Sequence, residues 1–421
     1  MIKGASLLMK TTKNRWLIAL SAVAIHLSIG SAYAYSVFKT PLTETRGWSS
    51  TDVAFAFTLA IFFLGMSAAL LGRFVEKYGP RASALTSAVL FSLGQVGSGY
   101  AIAIDSLIGF YALYGVVGGI GLGVGYIAPV STLVKWFPDR RGLATGMAVF
   151  GFGAGALVTG PIAARFIERF GIPNTFYSLG IAYFALMIAG ALYIARPPEG
   201  WLPAGMKDGA GGVPAEKRDI AQLTANEAIR TPRFWMLWIM MFVNISAGIM
   251  LISVASPMAQ EKAGMSALAA AAMVGVMGIF NGAGRIGWAS LSDYLGRQNV
   301  YIVFFAVQLV AFLVLPYVST ALLFQVLIYA VLTIYGGGFA SLPAFIGDLF
   351  GTKQLGAIHG YLLTAWSIAG VVGPMVVAYL RETTNSYDAA FYVFAALLLV
   401  ALVTSLLMKR NIRKLRAKAA A

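Results

Sequence analysis

The sequence predicts an all-α integral membrane protein of twelve transmembrane helices, arranged as two pseudo-symmetric six-helix halves. Three observations carry that expectation. Hydrophobic residues make up 59% of the 421 residues and charged residues only 11%, against roughly 25% charged in an ordinary soluble protein. Apolar runs long enough to cross a bilayer recur along the chain, a hydrocarbon core of about 30 Å needing about 20 residues of helix. Polar motifs at the ends of these runs recur in the second part of the chain at a nearly constant offset.

The runs fall at 16–38, 53–71, 82–103, 107–134, 142–164 and 176–195, and then at 234–257, 268–291, 301–318, 321–346, 355–380 and 387–408. Between the two sets of six lies a polar stretch with Pro197, Pro198, Pro203 and the run Gly209–Gly212. The expected division is therefore an N-terminal half at 1–195, a linker at 196–233, and a C-terminal half with a basic tail at 234–421. Within the linker, Thr224-Ala-Asn-Glu227 has the spacing of a capping box and predicts a short helix before Arg230. The 47 glycines fit a bundle in which helix backbones approach closely.

The first run also has features of a cleaved signal peptide: Lys3, Lys10, Lys13 and Arg15 precede it, and Ser31-Ala32-Tyr33-Ala34 resembles a signal-peptidase site. Losing it would break the symmetry of the halves, so it is read as the first span. With both termini on the cytoplasmic side, 24 of the 31 Lys and Arg residues fall inside and 6 outside. That bias orients the chain and predicts a multi-pass protein of a bacterial-type inner membrane, its lipid partner. It also accounts for the net charge of +15 without nucleic acid. One basic residue, Arg285, belongs to neither side.

The repeats are specific. Gly72-Arg-Phe-Val-Glu76-Lys-Tyr-Gly79-Pro-Arg81 follows the second run, and Ser292-Asp293-Tyr-Leu-Gly296-Arg297 follows the eighth, with Glu76 and Asp293 217 residues apart. Gly146 and Gly160-Pro161 in the fifth run recur as Gly360 and Gly373-Pro374 in the eleventh, at offsets of 214 and 213. Duplicated halves of this kind characterise transporters with a binding site near the midplane. The acidic-x-x-Gly-x-Arg pattern of the first copy, shortened to acidic-x-x-Gly-Arg in the second, resembles the signature loop of the major facilitator superfamily, with Glu76 where aspartate is usual. Physically it offers a carboxylate at a helix end, a glycine for a sharp turn and an arginine able to clamp a neighbouring helix. The resemblance implies that Glu76, Gly79, Arg81, Asp293, Gly296 and Arg297 form gating loops.

Composition also excludes chemistries. There is no cysteine, and His26 and His359 are the only histidines, so disulfides, thiolate nucleophiles and His/Cys metal sites are ruled out. No Gly-rich loop ending in Lys-Ser/Thr marks an ATP site, and the spans hold no paired carboxylates or nucleophile–base set. No enzyme and no cofactor is expected.

Arg285 lies eight residues before Asp293, so about 12 Å from the helix end at 1.5 Å per residue. An arginine at that depth costs at least ~2.5–3.5 kcal/mol on insertion scales, and such residues normally face a cavity on a substrate pathway. No acid on the span map reaches it. Its planar fork suits a carboxylate, so the expected partner is a small organic anion. Asn281, one turn earlier, shares its helix face and is expected to clamp the carboxylate with it. Tyr33, Tyr126 and Tyr335 stand in glycine-rich contexts; by chemistry alone each is as well explained by packing as by ligand contact.

Over nearly the whole chain the sequence is similar to the oxalate:formate antiporter family, bacterial relatives of monocarboxylate transporters. The stretches that carry the likeness are Asn14-Arg-Trp16, Trp136-Phe-Pro-Asp-Arg-Arg-Gly-Leu-Ala-Thr-Gly146, Arg230-Thr-Pro-Arg-Phe-Trp235, Phe280-Asn-Gly-Ala-Gly-Arg285 and Asp348-Leu-Phe-Gly351. The resemblance implies that Arg285 holds a substrate carboxylate among aromatic walls at Tyr33, Tyr126 and Tyr335. Where the oxalate exchanger has a second cation, a lysine in the eleventh helix, this chain has Trp366. One buried cation balances one carboxylate, and a dianion would leave a charge uncompensated. That points to a monocarboxylate such as lactate, pyruvate or formate, carried by alternating access in a monomer. Exchange of the oxalate:formate type is the alternative, and an anion channel a remote one. If protons are carried too, His359 has a suitable intrinsic pKa, though a satisfied interface histidine explains it equally; His26 has no partner legible in the sequence.

Overall fold

The computed structural model describes residues 13–203, 206 and 219–420. Lys3, Lys10 and the glycine run 209–212 lie outside the described residues. Among the described residues, ten helices are long and apolar enough to cross a membrane. They comprise α1 (Arg15–Gly30, extended by a tight turn to Ala34), α3 (Ser50–Ala103), α4 (Leu107–Trp136), α5 (Arg141–Tyr193), α7 (Pro232–Ala263), α8 (Ala267–Leu295), α9 (Arg297–Val314), α10 (Ala321–Phe350), α11 (Leu355–Thr384) and α12 (Asp388–Ala420). The short α2 (Ser36–Arg46) and α6 (Ala225–Ile229) complete the set.

Two of the ten are each twice too long for one crossing. The 54 residues of α3 and 53 of α5 would reach about 80 Å at 1.5 Å per residue. Each is broken at one glycine, Gly79 (φ 85°) and Gly171 (φ 77°), in a conformation that residues with a Cβ avoid. Pro80 and Pro173 follow them. The arms 50–78 and 80–103 of α3, and 141–170 and 172–193 of α5, count as separate crossings, giving twelve in all. Where the sequence reading left loops, the helices run on to a one-residue corner.

The first expected span, 16–38, is interrupted. Helix α1 ends at Gly30, a 3-10 turn occupies Ser31–Ala34, and α2 resumes at Ser36. Gly30 is pressed onto α5, where an added Cβ would stand 2.0 Å from the Phe152 carbonyl oxygen. The turn places Tyr33 beside Phe152. Helix α6 appears where the capping box predicts it, with the Thr224 hydroxyl accepting the Glu227 amide and the Glu227 carboxylate accepting the Thr224 amide.

Small residues decide which helices meet across the two groups of six crossings. A Cβ at Gly142 would stand 1.9 Å from the Ala289 carbonyl oxygen, and one at Gly146 2.9 Å from that of Arg285, so the first arm of α5 lies backbone-to-backbone on α8. In the same way Gly72 meets Ala357 and Gly360 meets Ala68, joining α3 to α11. These contacts occupy the ends that carry the signature loops. Away from these contacts, Gly275, Gly278 and Gly287 of α8 have open space where a Cβ would be.

Candidate substrate site

Arg285 is 1% exposed, about four residues, or 6 Å, inward of the middle of α8. Its Nη1 donates to the Val149 carbonyl oxygen at 2.7 Å and its Nε to Asn281 Oδ1 at 3.3 Å. Both partners are neutral, and none of the ion pairs formed among the described residues includes Arg285. The Phe152 and Phe339 rings flank the guanidinium, each with its centroid 5.9 Å away. Gly153 and Gly336 let the side chain fit: a Cβ at Gly153 would stand 3.2 Å from Nε, and one at Gly336 3.1 Å from Cγ of Arg285 and 2.1 Å from the Asn281 carbonyl oxygen. A guanidinium has five N–H donors, and the two hydrogen bonds leave donors free for an anion.

The expected wall residues converge on this cation from four helices. Tyr126 on α4 packs 5.4 Å from both Phe152 and Trp366. Tyr33 lies 5.0 Å from Phe152 and 6.5 Å from Trp366. Phe339 joins Tyr335, at 5.2 Å, to Trp366, at 4.6 Å. The sheath is aromatic but not inert. The hydroxyls of Tyr33 and Tyr126 and the Trp366 indole N–H are buried with no hydrogen-bond partner, and Tyr33 is close enough to Arg285 and Tyr335 to interact electrostatically with both. Buried polar groups are normally satisfied, and these three polar groups surround a cation that has no acidic partner among the described residues.

His359 on α11 is buried 5.8 Å from the Tyr126 ring. Neither of its ring nitrogens has a protein partner. Sequence reasoning missed Phe152, Phe339 and the Val149 carbonyl. A phenylalanine in an apolar helix carries no signal, and a carbonyl none at all.

The two signature loops differ from each other. In the second, Asp293 pairs with Arg297 at 2.5 Å, and Arg297 reaches Asp348 at 3.3 Å. Asp293 also accepts the Gly142 and Leu143 amides at 2.9 and 3.0 Å. Gly296, at φ 81°, makes the expected turn. In the first, Glu76 accepts the Gly356 amide at 2.7 Å and pairs with Lys135 at 3.1 Å. Arg81, however, is exposed and makes no such clamp; Arg196 takes that place, its guanidinium donating to the Val75 and Glu76 carbonyls beside Gly79. The reason is geometric, since Gly79 turns the chain directly into the next helix and carries Arg81 to the surface. Arg141, which pairs with Asp219 at 2.5 Å and Asp348 at 3.0 Å, is a further tie at the signature-loop end that the motif did not reveal.

Comparison with known proteins follows this architecture. The chain is 29% identical over 387 residues to the oxalate:formate antiporter of Oxalobacter formigenes, covering 91% of this chain and 88% of that protein. It is 28% identical over 360 residues to YhjX, described as an uncharacterized MFS-type transporter of Escherichia coli (strain K12), with 85% and 86% covered. Apicoplast pyruvate carrier 1 of Toxoplasma gondii is 25% identical, with 73% and 66% covered. Among solved structures, FucP in the outward conformation superposes with a TM-score of 0.73 at 13% identity, covering 93% of this chain and 98% of that one. The human organic anion transporter MFSD10 gives 0.71 at 13%, covering 93% and 100%. At such identities the structural likeness concerns the fold alone. The model of the Major Facilitator Superfamily matches residues 20–374, and the chain belongs to that family of membrane transporters.

Proposed function

We propose that this transporter carries a small monocarboxylate, such as lactate, pyruvate or formate, by alternating access across a bacterial-type plasma membrane with both termini in the cytoplasm. The observation that supports this most strongly is the lone cation: Arg285 is buried, flanked by phenyl rings, and bonded only to a carbonyl and an amide. A buried guanidinium without a counter-ion is costly, and a carboxylate would relieve that cost while accepting from its fork. Asn281 steadies Arg285. Tyr33, Tyr126, Tyr335 and Trp366 form the walls, and the orphan Tyr33, Tyr126 and Trp366 donors have polar atoms of the anion as their natural acceptors. One carboxylate neutralises one arginine; with Trp366 in the eleventh helix, a dianion has no second cation. The units 1–195 and 234–421, joined by 196–233, would rock about this site in a monomer, with Glu76, Asp293 and Arg297 breaking and re-forming ties at the inner face.

Exchange of the oxalate:formate type is the second reading, favoured by the likeness to the antiporter of Oxalobacter formigenes. Uptake of labelled lactate into proteoliposomes loaded in turn with lactate, pyruvate, formate or oxalate separates the two. Trans-stimulation by the monocarboxylates, with oxalate inert, is the expected result. Stimulation by oxalate would overturn the monocarboxylate reading, and unsaturable flux without counterflow would make the protein a channel.

A further inference from the structure

His26, left without a role so far, sits fully buried on α1 between two backbone oxygens. Its Nδ1 is 2.8 Å from the Ala148 carbonyl oxygen and its Nε2 is 3.0 Å from that of Tyr126. A neutral imidazole has one N–H and one lone pair, whereas a carbonyl only accepts. The neutral ring therefore satisfies one contact and opposes lone pair to lone pair in the other; the protonated ring donates to both. The ring is held there by stacking on Tyr126, with centroids 5.1 Å apart and planes at 17°. Gly151 admits it, since a Cβ there would stand 3.3 Å from the His26 Cβ and 3.0 Å from the Val23 carbonyl oxygen.

The surroundings link this ring to the substrate cation. The titratable or charged groups that face His26 are Tyr126 from α4, Arg285 from α8 and His359 from α11. The first arm of α5 presents the Ala148 carbonyl, Gly151 and the Phe152 ring, and its second arm packs Gly190 against Ser21 and Ile25. No carboxylate is among these groups. The consecutive carbonyls of Ala148 and Val149 serve His26 and Arg285 respectively, so two cationic groups would hang from adjacent points of one helix. Burial opposes a proton on His26, and the Arg285 guanidinium adds a smaller opposition that a carboxylate on Arg285 cancels.

We propose that His26 is the proton-binding site of a symport cycle, taking up one proton as a monocarboxylate binds to Arg285. This rests on the carboxylate reading above. By linkage the reinforcement is reciprocal, each ligand raising the affinity for the other. The site carries a single positive charge both empty and loaded, so proton and anion cross together without net charge. His359 is the poorer acceptor, because neither of its nitrogens has a partner and a proton there would leave two buried donors unsatisfied.

The test is a titration of the purified full-length protein with pyruvate in weak buffer, between about pH 5 and 8, where histidine titrates and pyruvate stays ionised. Uptake of about one proton per pyruvate bound is expected, with affinity rising about tenfold per pH unit lowered. His26→Gln should lose both proton uptake and accumulation driven by a pH gradient, and its pyruvate affinity should no longer change with pH. His359→Gln should retain both. The chain has only two histidines, so proton uptake surviving in His359→Gln points to His26 even if His26→Gln does not fold. Pyruvate binding without proton uptake, or proton uptake that persists in His26→Gln, would overturn the proposal. Wild-type protein that neither binds pyruvate nor performs lactate counterflow would instead overturn the carboxylate reading, and the proton site with it.

Discussion

Asp293 on α8 accepts the backbone amide of Gly142 at 2.9 Å, so a carboxylate of one six-crossing group caps the first turn of a helix in the other. The first signature loop repeats the arrangement with Glu76 and the Gly356 amide at the start of α11. Each acid meets the unsatisfied amides and positive end of a helix, and each partner helix can come this close because glycine stands at the contact. These two caps, with the Arg141 tie to Asp348, join the two groups at the end that carries the signature loops.

Replacing the acids should loosen that junction. Asp293→Asn and Glu76→Gln remove charge-assisted bonds of about 1.5–3 kcal/mol each and should shift the population by tenfold or more towards a state open to the inner face. The chain has no cysteine, so one introduced at Ser131, 3% exposed beside Gly356, reports on it. Its labelling from the inner side should quicken in Glu76→Gln.

Arg285→Lys keeps the charge but loses the fork that can hold a carboxylate and the Val149 carbonyl at once. Lactate counterflow should fall by roughly ten- to a hundredfold, one or two charge-assisted hydrogen bonds. Thermal unfolding should stay near the wild-type temperature, because the cation makes no ion pair that the fold depends on.

Trp366→Lys puts a second cation in the cage. Oxalate, expected to be inert on wild type, should then compete with labelled lactate, at some loss of thermal stability as the Phe339 and Tyr126 rings lose their 4.6 and 5.4 Å contacts.

Glycines should divide by what faces them. A Cβ at Gly336 would stand 2.1 Å from the Asn281 carbonyl oxygen, whereas one at Gly275 meets nothing within 4 Å. Gly336→Ala should force α10 and α8 apart, costing about 1–3 kcal/mol and most of the transport, while Gly275→Ala should leave thermal unfolding and counterflow unchanged.

How much of this was legible in the sequence depended on contrast. Arg285 stood out because a charge in the middle of an apolar run is rare and costly, and the signature loops because their spacing recurs. The tyrosines were ambiguous as residue types, and only their convergence on one cation gives them meaning. Phe152 and Phe339 looked like any lipid-facing or core phenylalanine. The partners of His26 are main-chain atoms of two other helices, which no sequence pattern encodes. Arg196 was hidden because its role in the first loop is inherited by position in space, the chain having turned Arg81 outward at Gly79. The break at Ser31–Ala34 was missed because nothing in those residues forbids a helix.

The most direct measurement is equilibrium binding of labelled pyruvate to the purified wild-type protein and to Arg285→Gln. Saturable binding of one anion per wild-type chain is expected, displaced by lactate and formate but not by oxalate, with no specific binding to the variant. Equal binding to both proteins would mean that the carboxylate rests elsewhere and that Arg285 is not its anchor.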